Sequence, residues 1–437
     1  MTAKTVIQDL KSRNVEVDTE GGLVTLHGNA TGRRKESGPL AGRKVGLLVA
    51  PEFSDFQAYY LAEYLSEFGA EVQFIGAEGA YWKYTRPTDP NKGLQGMWGL
   101  SLNPVPVLGD SRCSYIRLED AVARNYDAVV TPGGHSADIL TTTPDALDFL
   151  TAASEAGCVL GAIGEGTLPL ISQRLIGERR CTGNRVVSYL LERLGEYTNR
   201  PVERDGTLVT CRDTEFCGEF VRELVRAFQP GFEDRYMGCL SGRRIVIIAG
   251  EDFEDIELVA PVLELLHRGA SLTLATFPPP LRSRPPMLGL DVVMGNFGVS
   301  VPLQDIPGDR YDIRPLTEIG ADEFDMVMIP GAFCPWNMVA AGHPVDWLRS
   351  VYEEGARIAA ICHGAIPLSA AGIVQDKQLA GVDAVRDHVL IMGGTFRPEV
   401  SAMIDGSIVS GRVPPDVPEF LDVMTIALIG DELKSGS

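Results

Sequence analysis

The sequence predicts two tandem α/β domains, each a doubly wound parallel β-sheet with helices on both faces. Three observations carry that prediction. The chain has 437 residues, whereas one domain usually holds roughly 100–200. It is also written twice. RKVGLLVAPEFSDFQAYYLAEYLSEFGAEVQFIG from residue 43 matches RRIVIIAGEDFEDIELVAPVLELLHRGASLTLAT from residue 243. YDAVVTPGG at 126 matches FDMVMIPGA at 324, and GTLVTCRD at 206 matches GSIVSGRV at 406, so the spacings are 200, 198 and 200 residues. A spacing this constant marks a duplicated domain. Finally, each copy alternates short Val/Ile/Leu-rich runs with amphipathic stretches, the pattern of strands buried on both faces and joined through helices.

The elements follow in order. Residues 1–40 form an N-terminal arm with a short helical pattern and then VEVDTEGGLVTLHG, a small hairpin around Gly21-Gly22. The arm is expected to cap a sheet edge or an oligomer interface and has no catalytic role. Copy one, residues 41–230, opens on the strand Val45–Val49, an acidic turn, an amphipathic helix, Gly69 and a second strand; Ala128–Thr131 is a further strand ending at Pro-Gly. A linker occupies 231–242. Copy two, residues 243–432, repeats the order with Ile245–Ala249, Gly269 and Met326–Ile329. Residues 78–118 (rich in Trp, Tyr, Gly and Pro) and 277–318 (rich in Pro and Arg) are long for connectors, and such loops tend to carry function.

Composition narrows the function. An apolar content of 45% and a charged content of 22% belong to an ordinary globular protein. Thirty-nine basic residues against 59 acidic ones give a net charge of −20, which disfavours nucleic acid and anionic membranes as partners. No apolar run reaches 18 residues and the start lacks a secretory pattern, so a cytoplasmic location with no membrane partner is expected. The eight cysteines include no CxxC pair and no Cys/His cluster, so reduced thiols are expected, with no metal and no cofactor.

The chemistry gathers at RIAAICHGAIPL, residues 357 to 368. A strand, Ile358–Ile361, runs into Cys362, and a helix through Ile366 to Ala371 follows, ended by Gly372. A nucleophile on such a strand-to-helix elbow is raised above the sheet on a strained turn, and Gly364 permits close approach. Backbone N–H groups and the helix N-terminus then lower a thiol pKa and stabilise an oxyanion. His363 is the adjacent general acid/base, with its side chain expected to point away from that of Cys362. EDFEDIEL supplies Glu251, Asp252, Glu254, Asp255 and Glu257 at the same sheet edge; the helix dipole explains most of them, and one is expected to tune the thiol.

EDFEDIEL, FDMVMIPG, AAICHG, the pair Gly393-Gly394 and IDGSIVSGRVPPD together resemble the ThiJ/PfpI superfamily, over essentially all of residues 243–430. The resemblance implies a flavodoxin-like sheet of the class I glutamine-amidotransferase type. It implies Cys362 as nucleophile with His363 beside it, and Glu254 as the protonated acid that hydrogen-bonds the sulfur. The backbone N–H groups of His363 and of Ala332, in the Pro330-Gly331-Ala332 loop, are implied as oxyanion donors, with Gly331 and Gly364 shaping the site. Arg412 matches a recurrent arginine whose expected role is an ion pair. Where PfpI-type proteases place a glutamate that orients the histidine, this chain has Trp336, and the downstream histidine of the deglycase-like branch is missing from LAGVDAV. Asn337, His388 or a residue of the other copy is left to orient His363.

Copy one departs further. VLGAIGEGTLPL has Gly164 for the cysteine and Glu165 for the histidine, and Ser54 stands for the acid. His135, Cys158, Cys181, Cys211 and Cys217 do not rebuild the site at matching positions. Copy one is therefore expected to be a catalytically silent half that packs on copy two as an intrachain pseudo-dimer, with a homodimer of chains also open. Its aromatics Trp82, Tyr84 and Trp98 either wall the second site or fill their own core. The expected activity is cofactor-free thiol chemistry on a small electrophilic metabolite, of hydrolase, hydratase or glyoxalase type. Peptidase or amidase action and redox sensing without turnover stand as alternatives.

Overall fold

A computed structural model describes residues 1–12, 15–19, 23–27, 37–77, 94–97, 102, 113–280, 292–303 and 306–430. The chain divides into two compact units, Thr31–Asp234, and Met1–Ala30 together with Arg235–Ser437. Trp82, Tyr84, Trp98 and the Gly21-Gly22 turn lie outside the described residues.

In the first unit a seven-stranded sheet runs in the order Val202–Asp205, Leu208–Cys211, Val159–Ile163, Ala128–Thr131, Lys44–Val49, Glu71–Gly76, Cys113–Arg117. All neighbours are parallel except the hairpin 202–205/208–211. The inner strands are buried along their length, which is why they read as unbroken apolar runs. The helix Asp55–Glu67 leaves the first strand with Ser54 as its N-cap, accepting the Gln57 N–H. Arg222 of the helix Cys217–Phe228 reaches across to donate to the Tyr60 hydroxyl at 2.9 Å.

The second unit repeats this plan: Ala402–Asp405, Ile408–Gly411, Arg357–Ile361, Met326–Ile329, Arg244–Ile248, Ser271–Thr276, Asp312–Pro315. The N-terminal arm lengthens its sheet to nine strands. Glu16–Asp18 pairs with Leu23–His27, and the latter pairs antiparallel with Ala402–Asp405. The helix Ala3–Ser12 packs on the last helix, Val417–Ile429. The arm therefore covers a backbone edge that would otherwise present unpaired donors and acceptors. Arg268 ties the helix Asp255–His267 to the last helix, donating to Asp422 at 3.1 Å and to the Thr425 hydroxyl at 2.6 Å.

Leaving aside the edge strand Asp312–Pro315, the strand order reverses between Arg244–Ile248 and Met326–Ile329, the flavodoxin-like switch point. The turns at 250–254 and 330–333 leave the carboxyl ends of those two strands. The third turn, at 362–364, leaves the adjacent strand Arg357–Ile361. These three turns build the site.

Candidate active site

Cys362 ends its strand at φ 59°, a left-handed backbone that a β-carbon makes costly. Packing holds it there. A β-carbon on Gly364 would lie 2.8 Å from the Ile329 carbonyl oxygen, so only glycine lets the elbow sit on the neighbouring strand. Ala332, in the loop after Met326–Ile329, is also left-handed at φ 56°. It bridges backbone to backbone with Phe253 of the first turn. As a result the N–H groups of His363 and Ala332 both face the Cys362 sulfur, and each pulls its pKa down. Two converging N–H donors are also what an oxyanion at the attacked carbon requires.

The carboxyl that meets the thiol is Glu257, which corrects the expectation for Glu254. Glu254 is the N-cap of the helix Asp255–His267, and its side chain makes no cap bond. Glu257 lies three residues on, at the same helix face but one turn deeper, and is fully buried. One of its oxygens accepts the Gly331 N–H at 2.6 Å, and the carboxyl hydrogen-bonds Cys362. A β-carbon on Gly331 would lie 2.7 Å from that same oxygen and 3.0 Å from the Cys362 sulfur, so this glycine keeps open the space where acid and thiol meet. Gly331 is therefore no oxyanion donor, because Glu257 occupies its N–H.

Electrostatics also differ from expectation. Burial pushes Glu257 up to about 8, so it holds a proton at neutral pH. Burial pushes the Cys362 thiol up, and so do Glu257 and Glu254 when they are charged, against the two N–H groups. At neutral pH the acid and the thiol therefore each hold a proton, and a protonated Glu257 places no charge beside the sulfur.

His363 does not point away. Its Nδ1 lies 3.4 Å from the Cys362 sulfur. Burial and the neighbouring His388 hold its pKa below the usual histidine range, so at neutral pH the ring is an uncharged base. Trp336 sits edge-on to His388 with ring centroids 5.5 Å apart. Asn337 is buried, and its amide donates to the Glu251 carbonyl at 3.2 Å. Arg412 grips Asp416 through two bonds, 2.8 and 3.0 Å, at the start of the last helix. Among the described residues, no group of three His, Cys, Asp or Glu is arranged to hold a metal ion, and no helix is long and apolar enough to cross a membrane.

Glu257 is one of the five carboxylates of EDFEDIEL, and the resemblance pointed to Glu254 in its place. Its sequence signal is the copy-one counterpart, Gln57, which removes the charge and keeps the shape.

The DJ-1/PfpI family model matches residues 43–227 and again 243–425, together well over half the chain. Protein DJ-1 homolog D from Arabidopsis thaliana is 25% identical over 71% of this chain and 79% of its own length. Deglycase PfpI from Pyrococcus furiosus is 28% identical over 40% of this chain and 92% of its own. The crystal structure of Drosophila melanogaster DJ-1beta shares 18% identity over 43% of this chain and 94% of its own, with a TM-score of 0.35.

Proposed function

Because this chain belongs to the DJ-1/PfpI family, we propose that it is a cofactor-free cysteine enzyme with one working site, acting on a small electrophilic carbonyl compound. The observation that supports this reading most is the convergence on one sulfur of two backbone N–H groups, a neutral imidazole and a protonated acid. The Cys362 thiol gives its proton to Nδ1 of the uncharged His363, 3.4 Å away. Its sulfur attacks the carbonyl carbon, the C=O π bond opens, and that electron pair moves to the oxygen. The N–H groups of His363 and Ala332 receive that oxyanion. His363 passes the thiol's proton to the oxyanion and, uncharged again, takes a proton from the adduct and returns it at the neighbouring atom or to water. Glu257 holds its proton beside the sulfur and steadies the thiolate when the adduct collapses.

A relative bearing the name deglycase is in keeping with carbonyl adducts as substrates. The choice among lyase, hydratase and hydrolase outcomes belongs to the same proposal. The test is turnover of a panel of 2-oxoaldehydes and of amide substrates by wild type and Cys362→Ala. Carbonyl turnover should fall by at least about 1,000-fold in the variant, as for removal of a nucleophile. Equal activity in the two proteins would reject it, and Cys362-dependent cleavage confined to peptides would replace it with the peptidase reading.

A further inference from the structure

We infer that the Cys362 site takes a substrate whose electrophilic carbonyl carries an apolar group, aryl or branched alkyl, held by a hydrophobic rim on two helices beside the elbow. The inference rests on Cys362 being the reactive thiol. The rim comprises Phe333, Trp336 and Val339 at the start of and along the helix Cys334–Ala341, and Leu390, Ile391 and Met392 at the end of the helix Arg386–Ile391. These side chains are 37–81% exposed, and exposed apolar groups on helices that share a packing partner are the kind of surface that binds a ligand.

Two observations tie the rim to the thiol. The first is continuity. Both helices pack on Ala365–Ala370, the helix that leaves the elbow. The Cys362 sulfur lies 3.4 Å from His363 Nδ1, His388 is near enough to His363 to hold its pKa down, and the His388 ring stands edge-on to Trp336 with centroids 5.5 Å apart. Phe333 directly follows Ala332, whose N–H faces the sulfur. A substrate carbon at Cys362 therefore has its substituent beside this surface.

The second observation is a control within the chain. The corresponding positions of copy one are His135, Asp138, Thr141, Glu192, Arg193 and Leu194. Their helices Ser136–Thr141 and Ser188–Leu194 are built at the same places, with Leu191 buried where Val389 is buried. Five of those six side chains are polar, Leu194 being the exception. Val186 and Tyr189 beside them are exposed apolar groups at positions that are Ala384 and Asp387 in copy two. The fold tolerates polar side chains at five of the rim positions. Stability alone therefore does not demand six apolar side chains at the second elbow.

The experiment compares, in the full chain, alkylation of Cys362 by 2-chloroacetophenone and by chloroacetone, each normalised to its rate with glutathione and localised by peptide mapping. Turnover of phenylglyoxal and methylglyoxal is measured in parallel. The expected result is about a tenfold or greater preference for the aryl compound in both assays. Trp336→Asp and Leu390→Glu, the copy-one residues, should each bring the ratio close to one, while Trp336→Phe retains it. If neither glyoxal turns over but the alkylation preference and its loss persist, the enzyme reading fails and the rim stands. A ratio near one in wild type, or a preference indifferent to both substitutions, overturns the rim. A ratio near one accompanied by oligomer dissociation in Leu390→Glu also overturns it, and makes the surface a contact between copies of the chain.

Discussion

At the first elbow Gly164 adopts φ 53°, and at the second Cys362 adopts φ 59°; Gly134 and Ala332 match in the same way, as do Glu52 and Asp252. Ser54 N–H donates to the Gly133 carbonyl, and Glu254 N–H donates to the Gly331 carbonyl. Gln57 accepts the Gly133 N–H at 2.7 Å where Glu257 accepts the Gly331 N–H at 2.6 Å. The scaffold is one design used twice. What differs is the chemistry hung on it: an amide for an acid, a hydrogen for a thiol, and Glu165 bonded to Asn184 for His363. A strained elbow survives without its nucleophile when a glycine occupies it, since glycine adopts that backbone at no steric cost. Strain at Cys362 is therefore a cost that the second copy carries and the first has shed.

The sharpest way to break this comparison is to carry the copy-one side chain into copy two. Glu257→Gln keeps an acceptor for the Gly331 N–H and removes the acid proton beside the thiol. Carbonyl turnover should fall about a hundredfold or more, the usual scale for a lost acid–base partner, as steady-state kinetics will read. Stability should change in the opposite sense at high pH. The folded-state pKa of Glu257 is raised, to about 8. The folded protein therefore keeps a proton that the unfolded chain releases above its ordinary value of 4.5. That contribution is fully present below 4.5 and is lost as pH rises through about 8. Thermal unfolding of wild type should weaken across this window, and the Glu257→Gln profile should be flatter.

The reverse exchange, Gln57→Glu, should have a smaller effect and one on stability alone. It places a carboxyl where the Gln57 amide now donates to the Thr214 hydroxyl at 2.9 Å, within a buried site. Losing that donor costs about 1–3 kcal/mol, or roughly 2–4 °C per kcal/mol in melting temperature for a unit of this size. Turnover should not change. A measurable change in turnover would mean that copy one takes part in the chemistry.

The fold was legible because the repeat constrained it. Strands at Ala128–Thr131 and Met326–Ile329 and the elbow at Cys362 could be placed from the duplicated apolar runs, each bounded by Pro-Gly or by the next helix. The site was legible only in part. Five carboxylates in EDFEDIEL all suit a helix N-terminus, so helix dipole arguments cannot single out the one that turns inward. Depth decided it: Glu257 is one turn further into a helix whose neighbours Ile256, Leu258 and Val259 are also buried. The direction of His363 likewise depends on side-chain torsions that adjacency in sequence does not set. The rise in the Cys362 pKa came from burial and from Glu257, both consequences of tertiary packing.

The central claim is that each chain carries one reactive elbow, at Cys362. Its most direct test is adduct mapping after brief exposure of the native full chain to one equivalent of a carbonyl electrophile such as chloroacetone. A single adduct per chain is expected, on the peptide that contains Cys362. Adducts on Cys158, Cys181, Cys211 or Cys217 of copy one at a comparable rate would contradict it.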